Sequence, residues 1–295
     1  MISLAPNLYY LRGKNRSRFP YCACLFITGR DRHILIDAGM GGSLIRPVKE
    51  MGVDLLVLTH CHVDHRLTRR EIPEVPVWCH ENEKPYMCDR DQFAVGTGLV
   101  RSGLKFSRLP ARDQNIFKMN IEHTLADGER IDLGGITLET ILTPGHSPGH
   151  LSFYIPEHEV LFSGDVDLTS FGPFYGHDFA DLGDFIDSID RLRRLDARTV
   201  VTGHSGPFTE NLKKRFDQYE AVIYEREREI LKYLDQPRPL EFFHGRNIVY
   251  RKYYEKDPYI DLTKWVELVH VEKHLQYLVK TGRVMQDPDS KMWLK

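Results

Sequence analysis

Four aliphatic residues, Leu55-Leu56-Val57-Leu58, run directly into Thr59-His-Cys-His-Val-Asp-His65. An unbroken apolar run this short reads as a strand buried on both faces, which requires covering layers above and below it. On an extended chain His60 and His62 are two residues apart and can face the same side. Asp64 and His65 follow where the chain must turn, so they can point to a neighbouring position. The chain therefore has to build a covered sheet whose strand ends carry a concentration of metal-ligand side chains.

Three further ligand-type residues sit in similar strand-end contexts. They are His146 in Thr143-Pro-Gly-His-Ser-Pro-Gly-His150, Asp165 in Phe162-Ser-Gly-Asp165, and His204 in Val201-Thr-Gly-His204-Ser-Gly-Pro. The glycines beside them permit close backbone approach. One such histidine is usually a satisfied polar residue; five His and two Asp in this order form a nitrogen and oxygen set suited to Zn2+, Fe2+ or Mn2+. Gly145-His-Ser147-Pro-Gly149 also matches a serine-nucleophile elbow. That elbow runs from strand into helix, whereas here Pro148 and Gly149 lead into a strand, so the string reads as a turn presenting His146. Cys22 and Cys24 read as small core residues, and Cys61 as packing that points away from its flanking histidines.

Strands are expected at Leu8–Leu11, Cys22–Thr28, His33–Ile36, Leu55–Leu58, Val75–Cys79, Ile136–Leu142, Leu151–Ile155, Val160–Phe162 and Thr199–Val201. A short helix is expected over Leu44–Met51. Residues 81–120 show poor periodicity and are read as a lid over a cleft. Leu182, Phe185, Ile186, Ile189 and Leu192 fall at helical spacing. After about residue 210 the texture changes. A long charged helix runs to Leu234, Pro237 and Pro239 break it, a second helix covers Leu262–Thr281, and two strands flank an Asp-Pro-Asp-Ser turn. The reading is an α/β domain over 1–210 and a helical, winged-helix-like domain over 211–295.

The 40 Lys and Arg nearly balance 42 Asp and Glu, so net charge carries no sign of bulk nucleic-acid or membrane binding. No apolar run approaches a membrane span, the N-terminus does not read as a signal peptide, and five cysteines argue against a disulfide framework. A cytoplasmic protein is expected.

With these motifs, residues 1 to about 210 resemble the metallo-β-lactamase superfamily in its glyoxalase II-like branch. The resemblance implies an αββα sandwich with a two-metal site at one edge. It implies that His60, His62 and His146 bind one metal, that Asp64, His65 and His204 bind a second, and that Asp165 bridges both. Asp37 in Leu35-Ile-Asp-Ala-Gly39 would orient a ligand histidine from behind. The implied cofactors are two divalent ions, Zn2+ first, with Fe or Mn as alternatives. The implied chemistry is attack by a metal-activated hydroxide on a small ester, thioester or lactone, with Asp64 as the catalytic residue that orients the hydroxide or shuttles a proton.

Departures from the family's other branches narrow this. The commonest true β-lactamases carry cysteine where Asp165 stands and lack a histidine at the His65 position. The RNA-processing nucleases with a large inserted domain place it between the Asp165 and His204 motifs, which are only 39 residues apart here. Acyl-homoserine-lactone lactonases have a tyrosine where Leu168 stands, and flavin-linked diiron proteins replace motif histidines with acids. The whole layout resembles members with a C-terminal winged helix. A single-strand endoribonuclease and a mononuclear iron persulfide oxygenase are the alternatives. Tyr175 and His177 follow the bridging aspartate closely and are candidates to line the substrate pocket. Residues 211–295 carry 17 Lys/Arg against 14 Asp/Glu, with Tyr250, Tyr253, Tyr254 and Tyr259 interleaved. Such a stretch can stack bases, but packing on the neighbouring domain is favoured. The expected partner is a small-molecule substrate, with homo-oligomerisation left open.

Overall fold

Along the central strands successive side chains enter different cores, and this builds the layers. In β3 (Cys24–Thr28), Cys24 and Phe26 point into one core while Leu25 and Ile27 point into another. The strands β4 (His33–Ile36) and β5 (Leu55–Val57) split the same way. The period of two thus gives each strand two buried faces. The computed structural model describes residues 1–104, 114–117, 119–250 and 260–295.

The first sheet has seven strands in the order β1 (Ile2–Ala5), β2 (Leu8–Leu11), β3, β4, β5, β6 (Val77–His80) and β7 (Ile121–Leu125). It is antiparallel as far as β4 and parallel from β4 onward. The second has five, in the order β12 (Thr199–Val201), β11 (Val160–Phe162), β10 (Leu151–Ile155), β9 (Thr137–Leu142) and β8 (Arg130–Asp132). Leu25, Ile36 and Val57 of one sheet share a core with Leu138, Phe153 and Phe162 of the other. The outer face of the first sheet is covered by α1 (Arg46–Met51), α2 (Lys84–Cys88), α3 (Arg90–Gly96) and α4 (Leu99–Ser102). The outer face of the second is covered by α5 (Leu182–Arg193), whose N-terminus is capped by the Asp181 carboxylate accepting from Asp184 N–H at 2.9 Å. The expected αββα sandwich is present.

The strands missing from the sequence reading, β1, β7 and β8, are all sheet edges. An edge strand buries less, so its apolar pattern is weak. Cys22 and Ala23 fall outside β3 because their N–H groups bond Gly39 and Gly203 carbonyls instead of a neighbouring strand. Within 81–120, the described residues form the short helices α2 to α4 and a 3-10 turn at Gln114–Phe117; positions 105–113 and 118 lie outside the described residues.

Beyond 210 the chain forms α6 (Leu212–Leu231), α7 (Ile260–Lys280) and a hairpin of β13 (Met285–Gln286) with β14 (Trp293–Leu294). Asp287 closes the hairpin turn by accepting from Ser290 N–H at 2.6 Å. The first half of α6 packs Phe216, Tyr219 and Ile223 into the α5 core. Ile230 joins Val271, Leu275 and Trp293 in a separate cluster. Tyr253, Tyr254 and Tyr259 lie outside the described residues. All five cysteines are free. Among the described residues no helix is long and apolar enough to cross a membrane.

Candidate metal centre

Both sheets end at one edge, and the ligand-type side chains leave their strands there. Asp37 follows β4, His60 and His62 follow β5, Asp165 follows β11 and His204 follows β12. His146 lies in the turn from β9 to β10, and Asp64 and His65 sit in a 3-10 turn at Val63–His65. The edge is stitched across the sheets: Leu151 N–H donates to the Thr59 carbonyl at 2.9 Å, and Ala23 N–H to the Gly203 carbonyl at 2.7 Å. A Cβ on Gly203 would lie 2.6 Å from Asp165 Oδ1, so only glycine lets the backbone pass this close.

The side chains form two groups. His60, His62, His146 and Asp165 offer one donor atom each, all within 4.8 Å of one another. His62 Nδ1 is 2.9 Å from both His60 Nε2 and His146 Nε2, and His146 Nε2 is 3.1 Å from Asp165 Oδ2. Asp64, His65 and His204 form the second group. His204 Nε2 is 3.3 Å from Asp64 Oδ2, and His65 Nε2 is 3.0 Å from Asp165 Oδ1. Asp165 thus turns one oxygen to each group.

Contacts on the outer side decide which histidine nitrogen carries a proton. His146 Nδ1–H donates to the Phe174 carbonyl at 2.8 Å, and His204 Nδ1–H to the Ser17 carbonyl at 2.7 Å. His65 Nδ1–H donates to Asp37 Oδ2 at 2.7 Å. Thr59 Oγ1 gives its single proton to Asp37 at 2.9 Å and so accepts from His60 Nδ1 at 2.9 Å. In its neutral form each of these histidines presents an Nε2 lone pair to the centre. His62 Nε2 lies 2.8 Å from His177 Nδ1, and with His62 as the donor there its Nδ1 lone pair faces inward. Converging lone pairs repel unless a cation sits among them. His65 Nε2 and Asp165 Oδ1, though close, are not aligned for a hydrogen bond, and both are buried without a partner. Such orphaned atoms call for a missing group, and this donor set suits borderline divalent cations.

Electrostatics divide the two groups. Burial, with the neighbouring histidines, holds His60 and His62 well below the ordinary histidine pKa. Burial acts the same way on His65 and His204, but Asp165, with Asp37 at His65 and Asp167 at His204, overrides it and raises both well above that value. Burial opposes ionisation of Asp165, yet four surrounding histidines hold its carboxyl well below the carboxylate range.

All seven residues and Asp37 are therefore brought together as the sequence suggested. Cys61 packs in the core, as expected; Cys22 does too, although its thiol also lies near Asp37 and His65. His177 lines the cavity beside the centre. Tyr175 does not: it is fully buried, and its hydroxyl lies 2.7 Å from His274 Nε2 and accepts from Arg226 Nη1 at 3.0 Å. The loop turns that ring toward α6 and α7, away from the metal edge.

Three organising residues escaped the sequence reading. Glu83 is fully buried and accepts from Cys61 N–H, Gly149 N–H and Ser147 Oγ–H at 2.7, 2.7 and 2.6 Å, tying the His60 and His146 loops together. This also gives Ser147 a structural role. His150 Nε2 accepts from Asp165 N–H at 3.0 Å, and Asp167 Oδ1 from His204 N–H at 2.8 Å. Asp167 was findable, standing two residues beyond Asp165 at a strand end; Glu83 carried no signal.

A cavity of about 500 Å³ opens onto the centre. His62, Asp64, Asp165, Asp167 and His204 line it together with Phe93, Leu99, Phe171, Phe174, Leu262 and Val266, the Phe174 ring lying 5.8 Å from that of His146.

Residues 18–204 match the family model described as the Metallo-beta-lactamase superfamily. The probable metallo-hydrolase YqgX of Bacillus subtilis (strain 168) is 33% identical over 147 residues, covering 48% of this chain and 64% of that protein. The chain thus spans less than two-thirds of that relative. The hydroxyacylglutathione hydrolase GloC of Haemophilus influenzae is 28% identical, covering 67% of this chain and 91% of the relative. The acyl-coenzyme A thioesterase MBLAC2 of Gallus gallus is 29% identical, covering 62% and 72%. Among solved structures, a metallo-beta-lactamase family protein from Thermus thermophilus superposes with a TM-score of 0.76 at 25% identity, covering 99% of this chain and 100% of the other.

Proposed function

We propose that this chain, which belongs to the metallo-β-lactamase superfamily, is a hydrolase of small esters, thioesters or lactones that works with two divalent metal ions. The carrying observation is Asp165, which offers Oδ2 to the three-histidine group and Oδ1 to the group of Asp64, His65 and His204. A carboxylate shared in this way is suited to holding two cations side by side. His60, His62 and His146 would hold one ion and Asp64, His65 and His204 the other, with Zn2+ the leading candidate and Fe or Mn as alternatives. Bound there, such ions supply Lewis acidity and make water a competent nucleophile near neutral pH.

The chain's own groups supply the rest. Asp64 borders the cavity and, although buried, is held ionised by His204 and His65. Its carboxylate can orient the attacking water or take up a proton for delivery to the leaving group. Asp37, Thr59, Phe174 and Ser17 hold the histidine rings in the inward-facing tautomers. The names of GloC and MBLAC2 support thioester chemistry.

The test is elemental analysis of protein purified without chelator, with turnover measured on ester, thioester, lactone and single-stranded RNA substrates. Close to two metals per chain and hydrolysis of a small acyl substrate are expected. At most one metal under metal-replete conditions overturns the dinuclear reading. Cleavage of RNA alone replaces it with the endoribonuclease, and oxygen consumption on a persulfide with one iron replaces it with the oxygenase.

A further inference from the structure

The cavity lining is part polar and part apolar, and some of its apolar residues lie beyond the superfamily match. Leu262 and Val266 come from α7 and Tyr250 from the segment before it, all beyond residue 204. Phe171 and Phe174 come from the loop after Asp165, and Phe93 and Leu99 from α3 and α4. Among the described residues no Lys or Arg lines the space; the polar groups away from the metal edge are the hydroxyls of Thr97, Thr169, Thr263 and Tyr250. Away from the metal edge, a polyanion would meet no Lys or Arg among the described lining residues, and a sugar would find few partners for its hydroxyls.

This wall is also held rigid from behind. The buried Arg226 guanidinium donates to the Pro173 and Phe171 carbonyls at 2.7 and 2.5 Å and lies 5.0 Å over the Phe171 ring. Gly172 lies so close to α6 that an added Cβ would come within 2.5 Å of Val222. Phe174 stands edge-on to His270 of α7 at 5.0 Å, and Tyr175 N–H donates to His270 Nε2 at 3.2 Å. Fixing the backbone of this loop lowers the cost of ordering it around an apolar group. A cavity of this size is in the range that encloses a small organic ligand, roughly 300–1,000 Å³.

We propose that the group seated on this wall is an extended apolar acyl chain, so that the substrate is a thioester or ester of a medium-chain carboxylic acid with its carbonyl at the metal edge. This rests on the hydrolase reading above. In the reaction, water adds its oxygen to the acyl carbon, and the carbon–sulfur or carbon–oxygen bond breaks with its electron pair passing to the leaving atom. That atom takes a proton, giving a carboxylic acid and a thiol or alcohol. Leu262 and Thr263, on the α7 side, act as selectivity-determining residues.

The experiment compares kcat/KM for acetyl, octanoyl and hexadecanoyl thioesters, alongside calorimetric titration of the metal-loaded protein with acetate and octanoate. Octanoyl is expected to exceed acetyl by roughly a hundredfold, because each added methylene buried contributes to transition-state binding. Leu262→Trp, which fills the wall, and Thr263→Arg, which charges it, should each cut that ratio by at least about tenfold and weaken octanoate binding. Having two variants guards against misfolding of one. An octanoyl-to-acetyl ratio near one, with octanoate binding no tighter than acetate, overturns the proposal even if short acyl substrates turn over. Tighter octanoate binding with no hydrolysis of any acyl substrate overturns the hydrolase reading while supporting the apolar site.

Discussion

The polar and apolar halves of the cavity are held in place by different means. On the metal side the histidine rings are aimed by hydrogen bonds from behind, Asp37 on His65, Phe174 on His146 and Ser17 on His204, and His150 holds the Asp165 backbone. Those bonds lie within the sandwich or its edge loops. In the apolar part, rings and aliphatic chains are held by packing, by the buried Arg226, and by Arg101, which joins Asp178 to Glu272 of α7 at 2.5 and 2.6 Å. Directional bonds suit a site that must place lone pairs within tenths of an ångström. Packing suits a surface that must only exclude water and match a volume. The difference predicts that metal binding and acyl-chain selectivity can be altered largely separately.

The largest effect should come from the residue shared by both donor groups. Asp165→Ala is expected to release both ions and lower kcat/KM by at least about a thousandfold, checked by metal content and turnover together. Two retained metals with near-native turnover would show that the carboxylate does not join the sites. Next is Glu83, behind the polar half. Glu83→Ala leaves two buried N–H groups and the Ser147 hydroxyl without their acceptor, and should lower unfolding free energy by about 3 kcal/mol in a denaturant titration. An unchanged midpoint would mean that other groups hold the two loops.

Asp37→Ala removes the partner of His65 and of Thr59, and should weaken metal binding by about 10–100-fold in a chelator competition. Unchanged affinity would show that packing alone orients His65. The last expected effect concerns the support behind the apolar part of the cavity, and at neutral pH it leaves stability unchanged. Burial, with Arg226 nearby, pushes His274 from 6.5 down to about 3. The unfolded chain therefore binds more protons between those values, so stability is full above the ordinary histidine pKa and falls on acidification. The slope should be up to about 1.4 kcal/mol per pH unit for this group. His274→Gln should flatten the low-pH part of a melting-temperature profile, and a parallel profile would refute a buried neutral imidazole.

Legibility followed the kind of constraint involved. The αββα layering was readable because runs such as Leu55–Leu58 need cover on both faces, and the edge strands β1, β7 and β8 were missed because they do not. The candidate ligand residues were readable because their types are chemically restricted and their strand ends punctuated by glycine. Glu83 was not, since a glutamate in a weakly periodic stretch looks like any surface acid until the fold closes over it. Tyr175 and His177 show the limit most directly. Two residues apart in one loop, they looked equivalent, yet His177 reaches His62 while Tyr175 turns back to His274 and Arg226.

By itself, then, the sequence determined the covered strands, the set of donor atoms and their grouping at strand ends, because period-two burial and ligand chemistry are local properties of residue type. Only the tertiary structure decided which nitrogen of each histidine faces inward, that Glu83 ties the His60 and His146 loops together, and that α7 supplies part of the cavity's apolar lining. Each of those depends on partners far apart in the chain, such as Ser17 with His204 or Phe171 with Arg226. Residue type alone does not encode which distant backbone carbonyl a side chain will meet.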